Sequence, residues 1–339
     1  MLCSVVILNW NGESTLRQFL PSVLEHTQLP DVEIVVADNG STDGSLEYLR
    51  TQPVRVIALD QNYGFAGGYN HAIDQLDATY TVLLNSDVEV TPHWLDTMLA
   101  YMEAHPETSA AQPKVLSWHS KQLFYKGEIP AMRFEHAGAA GGMMDILGYP
   151  FCRGRMMAHV EEDHGQYNHI CPIFWATGAC LLVRTSVYKE LGGLDANFFA
   201  HQEEIDLCWR IHNAADLLST IVCLPQAVVY HVGGGTLGYE SPRKTFLNFR
   251  NNLLMLRKNL PASRLWWVMI VRFFMDYLAA LQMLLTGQTP NAKAVFQARQ
   301  AYQKMKIGYR LSASGKHNAI KLLAKRSIVL DYYLFKKKK

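Results

Sequence analysis

Several features that would place this chain in a familiar class are missing from its sequence. The six cysteines are scattered and include no C-x-x-C pair, which argues against a zinc site and a disulfide framework. No basic segment followed by an apolar one opens the chain, so we expect no secretory signal, reduced thiols and an active part that faces the cytoplasm. The glycine-rich loop over 62–70 lacks the spacings of a dinucleotide fingerprint and of a P-loop.

Acidic residues are scarce in the last part of the chain. Residues 241–339 hold 20 lysines and arginines but only two acids, Asp276 and Asp331, a balance of +18. Residues 1–240 hold 12 basic and 28 acidic residues, a balance of −16. Such asymmetry points to a membrane surface or nucleic acid as the partner of the basic part. We therefore divide the chain into a domain over 1–240 and a basic helical region over 241–339.

The basic region contains an apolar, aromatic run over 266–285. It approaches the length of a membrane span, but Arg272, Asp276 and Gln282 interrupt it. Amphipathic helices lying in the membrane interface explain both the aromatic residues and the charge, and the lysines over 336–339 add a polybasic end. The aromatic residues do not alternate with polar ones as base-stacking platforms do, so we expect an anionic membrane and no nucleic acid. A helical subdomain packed on the sheet is the alternative.

The first 60 residues alternate between strand and helix patterns. Apolar β-branched runs occupy 4–8, 32–37 and 54–59, and helical patterns occupy 16–23 and 45–50. Short polar loops join them. Strands that alternate with helices in this way predict an α/β fold with a doubly wound, mostly parallel sheet.

Polar side chains gather where the predicted strands end. Asn9 follows the first strand, Asp38 and Asn39 follow the second, and Asp87 follows the apolar run over 82–84. Ligands of open α/β sheets bind beyond the carboxyl ends of the strands, where these side chains offer acceptors to a nucleotide's base and ribose. Asx turns, helix caps and tight helix packing are the alternatives. The candidate donor-binding residues are Asn9, Asn11, Asp38, Asn39, Ser41, Asn62, Gly64, Phe65, Gly68, Asn70, Asn85 and Asp87.

These motifs together resemble the nucleotide-sugar-binding half of inverting family 2 glycosyltransferases. The matching segments are Asn9-Trp10-Asn11-Gly12, 38–45, 62–68 and Leu84-Asn85-x-Asp87, and the likeness is greatest to the rhamnosyltransferase-like branch. The resemblance implies the GT-A fold with Mg²⁺ or Mn²⁺ held near an Asp-x-Asp motif. Here Asn85 stands at the first Asp position, so Asp87 is the only carboxylate of that motif.

The resemblance also assigns roles further along the chain. His231 corresponds to a metal-ligating histidine, and Thr177 and Gly178 to the acceptor side. The family's base motif reads here Glu203-Glu204-Ile205-Asp206, which places Glu204 at the base position with Glu203 and Asp206 in support. Crowded acids raise one another's pKa, which suits a base that works near neutral pH.

Residues 117–175 form the least regular stretch, and we expect a mobile loop on the acceptor side. Arg153 and Arg155 lie there in a turn-like context. Guanidinium groups suit bidentate contact with a donor's or lipid acceptor's pyrophosphate. Pairing with the acids over 161–163 is the alternative.

The sequence therefore predicts a peripheral enzyme at the cytoplasmic face of the membrane. It would transfer a sugar from a nucleotide-diphospho-sugar, with dTDP-L-rhamnose the first donor to test, to a lipid-linked or cell-envelope glycan. A non-catalytic nucleotide-sugar-binding scaffold at the membrane is the competing hypothesis. Either is compatible with a homo-oligomer.

Overall fold

The computed structural model describes residues 1–214, 220–233, 241–309 and 317–336. The strands are β1 (Cys3–Asn9), β2 (Val32–Asp38), β3 (Arg55–Ala58), β4 (Tyr80–Asn85), β5 (Val88–Val90), β6 (Thr108–Ser117), β7 (Gly142–Met144), β8 (Pro150–Cys152), β9 (Arg155–Met156), β10 (His159–Val160), β11 (Cys171–Pro172), β12 (Cys180–Arg184) and β13 (Thr220–His231). The helices are α1 (Glu13–His26), α2 (Ser45–Leu49), α3 (Gly64–Ile73), α4 (Trp94–Ala104), α5 (Trp118–Tyr125), α6 (Thr185–Glu190), α7 (Glu203–Asn213), α8 (Pro242–Asn259), α9 (Ala262–Leu285), α10 (Thr289–Met305) and α11 (Ile328–Tyr333). Positions 337–339 of the predicted polybasic end lie outside the described residues.

The central sheet is mixed and rich in parallel pairs. Its strand order is β11-β13-β6-β12-β4-β1-β2-β3, with β5 paired to β13. Strands β4, β1, β2 and β3 run parallel, whereas β12 is antiparallel to both β4 and β6. The carboxyl ends of the four parallel strands therefore open onto one edge, where the polar residues of the sequence motifs lie.

Helices cover both faces of the sheet, as the doubly wound pattern predicts. Along β1, Val5 and Ile7 enter one core with α1 and α4, and Val6 enters the other with α3, α7 and α8. This alternation follows from the two-residue period of a strand. The buried face of helix α1 is formed by four residues at helical spacing, Leu16, Phe19, Leu20 and Val23.

The stretch over 117–175 differs from the mobile loop predicted for it. It contains α5, a small antiparallel sheet of order β10-β9-β8-β7, and β11, which joins the edge of the central sheet. Phe134, Ala140 and Met144 are buried in the main core. The many glycines and alanines that suggested irregularity allow close packing instead, since a Cβ on Gly142 would lie 2.1 Å from the Trp175 ring.

The C-terminal helices belong to the same packed unit as the sheet. Residues 253–256 of α8, together with Val268 of α9 and Tyr302 of α10, are buried in the core that covers one face of the sheet. The predicted boundary near Ser241 therefore does not coincide with a break in packing. The alternative of a helical subdomain packed on the sheet describes α8 well.

The glycine-rich start of α3 is closed by another loop. Gly64 has φ +73°, and a Cβ there would lie 2.6 Å from the Phe199 ring. The carbonyl of Phe199 accepts hydrogen bonds from the backbone N–H groups of Phe65 (2.7 Å) and Ala66 (3.3 Å). The first free N–H groups of the helix are thus satisfied by protein, and tight packing is the role that the structure gives to this glycine.

We predict that Gly64→Ala destabilises the fold more than Gly127→Ala. Both glycines have φ +73°, so both substitutions carry a left-handed backbone cost of about 1–2 kcal/mol. Only Gly64 has neighbours that a Cβ would strike, whereas no atom lies within 4 Å of a Cβ built on Gly127. Denaturant unfolding should show an additional loss of about 1–3 kcal/mol for Gly64→Ala. Equal losses in the two variants would contradict the packing role.

Candidate active site

The loops that follow β1 and β2 are joined by side-chain hydrogen bonds. The amide of Asn9 donates to Asp38 Oδ1 (2.9 Å) and Ser41 Oγ (3.2 Å), and the backbone N–H of Asn11 donates to Ser41 Oγ (2.9 Å). Asp38 also accepts from the Ser41 N–H at 3.0 Å. Because Asp38 is fully buried, its carboxylate fixes the conformation of the two loops and does not face solvent. Asn11 is exposed at this edge.

Asn39 connects the same edge to the loop that precedes α3. Its amide donates to Asn62 Oδ1 (3.1 Å) and the Gly64 carbonyl (3.0 Å), and its oxygen accepts from the Tyr63 N–H (3.0 Å). Gly68 is buried, and a Cβ there would lie 2.7 Å from Leu8 and 3.0 Å from the Asn39 amide. The expected set is therefore brought together, but mostly by contacts among its own members.

Two of the predicted donor-binding residues have other surroundings. Asn70 donates to the Leu194 carbonyl (2.8 Å) and accepts from Tyr188 Oη (2.6 Å) and the Leu194 N–H (2.9 Å). These bonds hold α3 to the loop after α6, which corrects its predicted place at the donor. Phe65 is half-buried and packs edge-on against Tyr69 and beside Gly178, so it lies toward the acceptor side.

A histidine between two carboxylates lies at the end of β4. His231 Nε2 is 3.1 Å from Asp87 Oδ1 and 3.3 Å from Asn85 Nδ2, and its Nδ1 is 3.4 Å from Glu135 Oε2. Burial alone would lower the pKa of His231, but Asp87 and Glu135 raise it to about 10. Burial likewise opposes ionisation of Asp87, and the His231 charge reverses this and lowers the pKa of Asp87.

Asp87 and His231 could together hold a divalent metal, which would take the place of the proton that His231 carries toward Asp87. Their facing atoms are 3.1 Å apart, close to the ~3 Å expected for neighbouring ligands with bonds of ~2.1 Å. Glu135 is placed on the other imidazole nitrogen, where carboxylates commonly orient metal-binding histidines. Within the described ranges no cluster of three or more His, Cys, Asp or Glu could hold a metal, so further ligands must come from diphosphate and water.

Two carboxylates begin α7 beside the entrance to β12. A Cβ on Gly178 would lie 3.1 Å from Phe65 and 3.7 Å from the Cβ of Glu204, and the next residue, Ala179, accepts the backbone N–H of Asn85 at 3.0 Å. Glu204 is half-buried and Glu203 is buried. One oxygen of each has no hydrogen-bond partner among the described residues.

Burial determines how these two acids titrate. It raises the pKa of Glu204 to about 7, and together with the neighbouring Glu204 charge it raises the pKa of Glu203 well above the usual value. Burial therefore disfavours the charged form of both acids, and Glu204 is the one whose pKa lies near neutral pH. A carboxylate that is short of partners and half-ionised near pH 7 is equipped to take a proton.

Asp206 adds to the charges that raise the pKa of Glu203, but its own surroundings differ from those of the other two acids. It is fully buried and accepts from Arg210 Nε (2.8 Å), Lys258 Nζ (2.8 Å) and the Asn259 amide (2.8 Å). Burial opposes its ionisation, but Arg210 and Lys258 lower its pKa. Its role is to join α7 to α8.

The segment that leads into α7 is held by α8. Phe199, His201 and Gln202 all have positive φ, at 65°, 71° and 74°. The amide of Asn251 lies within hydrogen-bond distance of the carbonyls of residues 198, 200 and 201, at 3.0, 2.9 and 2.8 Å, and the amide of Asn252 donates to Gln202 Oε1 at 3.2 Å. Conformations of this kind persist only where the surroundings enforce them.

The predicted acceptor-side residues divide into two groups. Gly178 lies beside Glu204, and Thr177, which is buried, accepts the Ala179 N–H at 3.2 Å. Arg153 instead donates to the Ala140 carbonyl (3.1 Å) and lies 4.9 Å from the Tyr167 ring. Arg155 is buried and donates to the His136 carbonyl at 2.9 Å. Both guanidinium groups are therefore used inside the domain, and the pairing with Asp163 is made by Lys114 instead (2.7 Å).

Sequence reasoning missed four groups that shape the site. Glu135 follows no motif, and Asn251, Asn252 and Lys258 lie in the region assigned to the membrane. Polar residues on the buried face of α8, next to the apolar run over 253–256, were the available signal for the two asparagines. Nothing in the spacing of Glu135 indicates His231, which lies 96 positions further on.

A mixed, parallel-rich sheet with polar loops at its carboxyl edge is the architecture of the GT-A fold. Two solved structures share this fold. GalNAc-T7 with UDP, GalNAc and Mn²⁺ aligns with a TM-score of 0.55 at 16% identity, over 76% of this chain and 48% of that one. The S. aureus TarS 1-349 fragment with UDP-GlcNAc aligns with 0.54 at 16% identity, over 88% and 81%.

Sequence comparison gives the family. Residues 4–152 match the model for glycosyl transferase family 2. The chain is also 26% identical over 276 residues to the N-acetylglucosaminyl-diphospho-decaprenol L-rhamnosyltransferase of Mycobacterium tuberculosis, covering 78% of this chain and 85% of that protein. Residues 4–152 thus form a family 2 glycosyltransferase domain, and the chain is a glycosyltransferase with the GT-A fold that is similar to rhamnosyltransferases.

We predict that Asp206→Asn lowers stability by about 3 kcal/mol, because it leaves Lys258 and Arg210 beside an uncharged buried group. Glu107→Gln, which removes the acid of an exposed pair with His105, serves as control and should leave stability nearly unchanged. Denaturant unfolding measures both. An Asp206→Asn protein of wild-type stability that had lost activity would assign Asp206 to the chemistry instead.

Proposed function

We propose that the protein is an inverting, metal-assisted glycosyltransferase that moves a sugar from a nucleotide-diphospho-sugar to a lipid-linked or cell-envelope glycan. The observation that carries the proposal is Glu204, a half-buried carboxylate with a pKa of about 7 beside Gly178 at the edge where the polar loops meet. A protein that only bound the donor would have no need of such a group. The mycobacterial rhamnosyltransferase supports dTDP-L-rhamnose as the first donor to test and a polyprenyl-diphosphate-linked acceptor.

The donor is assigned to the edge formed by the loops after β1, β2 and β4. In this proposal Asn11 and Ser41 meet the nucleoside, and the buried pair of Asn9 and Asp38 fixes the loops that present them. Asn39, Asn62, Gly64 and Gly68 set the neighbouring wall. Asn85 and Asp87 stand at the end of β4, on the side of the diphosphate.

Glu204 is the proposed base. Its carboxylate takes the proton of the acceptor hydroxyl while that oxygen bonds to the anomeric carbon, and the bond from this carbon to the diphosphate oxygen breaks on the opposite face. One base and one displacement give inversion. Glu203, whose pKa is raised by burial and by the neighbouring Glu204 charge, is the supporting acid beside it.

Asp87 and His231 would hold Mg²⁺ or Mn²⁺, and Glu135 would fix the orientation of the imidazole. Such an ion supplies neutralisation of the charge that develops on the leaving diphosphate. A GT-A neighbour was crystallised with Mn²⁺, which supports this choice of metal. The guanidinium groups of Arg153 and Arg155 have no role in binding the diphosphate in this proposal.

We also propose that the enzyme works at the cytoplasmic face of the membrane, bound peripherally through 241–339. A lipid-linked acceptor would require this location. Two features support this location: the apolar helix α9, and the excess of 20 basic residues over two acidic ones in 241–339, a balance of +18.

We predict that Glu204→Gln lowers the rate of transfer by about 10²- to 10⁴-fold, since the amide cannot accept the proton. Wild-type kcat/KM should fall about tenfold per pH unit below 7, where Glu204 is protonated, and the residual rate of the variant should lack this dependence. The measurement is transfer and donor hydrolysis across a panel of nucleotide sugars with Mg²⁺ or Mn²⁺.

Stability provides a second readout of the same group. Burial disfavours the Glu204 charge, so the folded state loses stability as pH rises from about 4.5 through 7. Glu204→Gln should remove that loss and be more stable than wild type at pH 8, by on the order of 2 kcal/mol. Glu190→Gln, at an exposed position on α6, is the matched control. Normal turnover by Glu204→Gln would refute the base assignment.

We predict that Asp87→Asn weakens Mn²⁺ binding at least about tenfold, because a charged ligand is lost. Paramagnetic resonance of free Mn²⁺, titrated with protein and a nucleoside diphosphate, measures this without turnover. The control is Asp96→Asn, which alters a surface Asp-His pair of similar length, 2.9 Å to His93. Unchanged binding in Asp87→Asn, or an equal loss in the control, would remove Asp87 from the metal site.

A further inference from the structure

Helix α9 has two faces of opposite character. Its buried residues, Leu265, Val268, Arg272, Asp276 and Ala280, recur at a spacing of three or four and face the domain. The remaining surface carries large apolar side chains that are exposed: Trp266, Ile270, Phe273, Phe274, Leu278, Leu281, Leu284 and Leu285. A contiguous apolar surface of this kind marks a site of interaction.

The inward face is fixed by charge. Arg272 Nε lies 3.4 Å from Asp276 Oδ1, and Arg299 Nη1 of α10 lies 2.5 Å from Asp276 Oδ2. Arg272 also donates to the Leu147 carbonyl at 3.2 Å, and its guanidinium lies 4.0 Å from the Tyr149 ring centre. A helix that crossed a bilayer would have to leave these partners and carry Arg272 and Asp276 into hydrocarbon, which is strongly unfavourable.

A groove beside the exposed face combines apolar and cationic groups. Its cavity, of about 460 Å³, lies between α9 and α10. The apolar part is formed by Met269, Ile270, Phe273 and Phe274, and the polar edge by Arg299, Tyr302, Gln303 and Lys306. An apolar groove with a basic edge matches a phospholipid whose chains and anionic head group it would meet together.

We propose that α9 lies flat in one leaflet of an anionic bilayer and does not cross it. The exposed apolar face enters the acyl region, and Lys306 at the polar edge of the groove meets the head groups. The proposal rests on the membrane location given above, but it concerns residues outside the catalytic machinery. In this orientation α9 contacts the membrane surface along its whole length, and both ends of the helix remain on the same side of the bilayer.

Flotation of the full chain tests the surface. Wild-type protein should float with vesicles of phosphatidylcholine and phosphatidylglycerol and much less with phosphatidylcholine alone. The double variant Phe274→Glu and Leu278→Glu should lose at least about tenfold in bound fraction. Val56→Glu, which changes an exposed apolar residue on β3, should float like wild type. Equal binding to neutral vesicles, or flotation of the double variant, would overturn the proposal.

Labelling tests the orientation. Ser263→Cys and Thr286→Cys place exposed thiols at the two ends of α9, and wild type gives the background because five of its cysteines are buried and Cys171 is half-buried. A membrane-impermeant maleimide added outside vesicles carrying bound protein should label both positions. Protection of either one would show that the helix crosses the bilayer.

Two further measurements separate this proposal from its alternatives. Donor hydrolysis by the double variant should equal that of wild type. Wild-type protein that hydrolyses donor but does not float with anionic vesicles would overturn the membrane proposal and leave the catalytic one intact. Light scattering after gel filtration should give the same mass for both proteins. A dimer that the double variant dissolves would show that a second copy covers this face, which would overturn the lipid assignment.

Discussion

The buried ion cluster around Asp206 is the interaction on which the rest of the site depends. It fastens α7 to α8 through Lys258 and Asn259, and Arg210 completes it from the same helix. Glu204 and Asp206 are two residues apart on α7 and therefore lie on nearly opposite faces of the helix. Because Asp206 is fixed toward α8, Glu204 is directed toward Gly178 and the ends of the strands. One helix turn thus holds two carboxylates with opposite behaviour: cations lower the pKa of Asp206, whereas burial without a cation raises that of Glu204 to about 7.

This arrangement makes the basic helical region part of the enzyme and not an attachment to it. Helix α8 supplies Asn251 and Asn252 to the segment before α7, and Asn252 in turn accepts from Arg272 of α9. A continuous set of hydrogen bonds therefore runs from the helix with the exposed apolar face to Gln202, the residue before the carboxylates. By itself such a chain is scaffolding, since coupling requires an element with two states. It does explain why the domain and the helices share one core.

The sequence predicted what local patterns and motif order determine. The spacing of apolar residues indicated β1, β2 and α1. The order of the family motifs indicated that Asp87 and His231 lie close together, and they are in contact. Contacts between distant segments were beyond such patterns. The function of Gly64 depends on Phe199, more than a hundred positions later, and that of Asp206 on Lys258, 52 positions away. The surroundings of Asp206 and Asn70 differ from those expected for this reason, because a polar residue's partners are set by tertiary packing.

The same packing explains how a costly arrangement survives at the site. Three non-glycine residues with positive φ precede α7, each at roughly 1–3 kcal/mol, and two buried carboxylates follow them. Neither feature helps the fold. Both persist because the surrounding contacts hold the backbone in place. Asn251 donates to the carbonyls of this segment, and the Asp206 cluster fixes the helix that follows it. Keeping Glu204 short of partners raises its pKa to about 7, and the Asp206 ion cluster, two positions along the same helix, holds in place the helix that carries it.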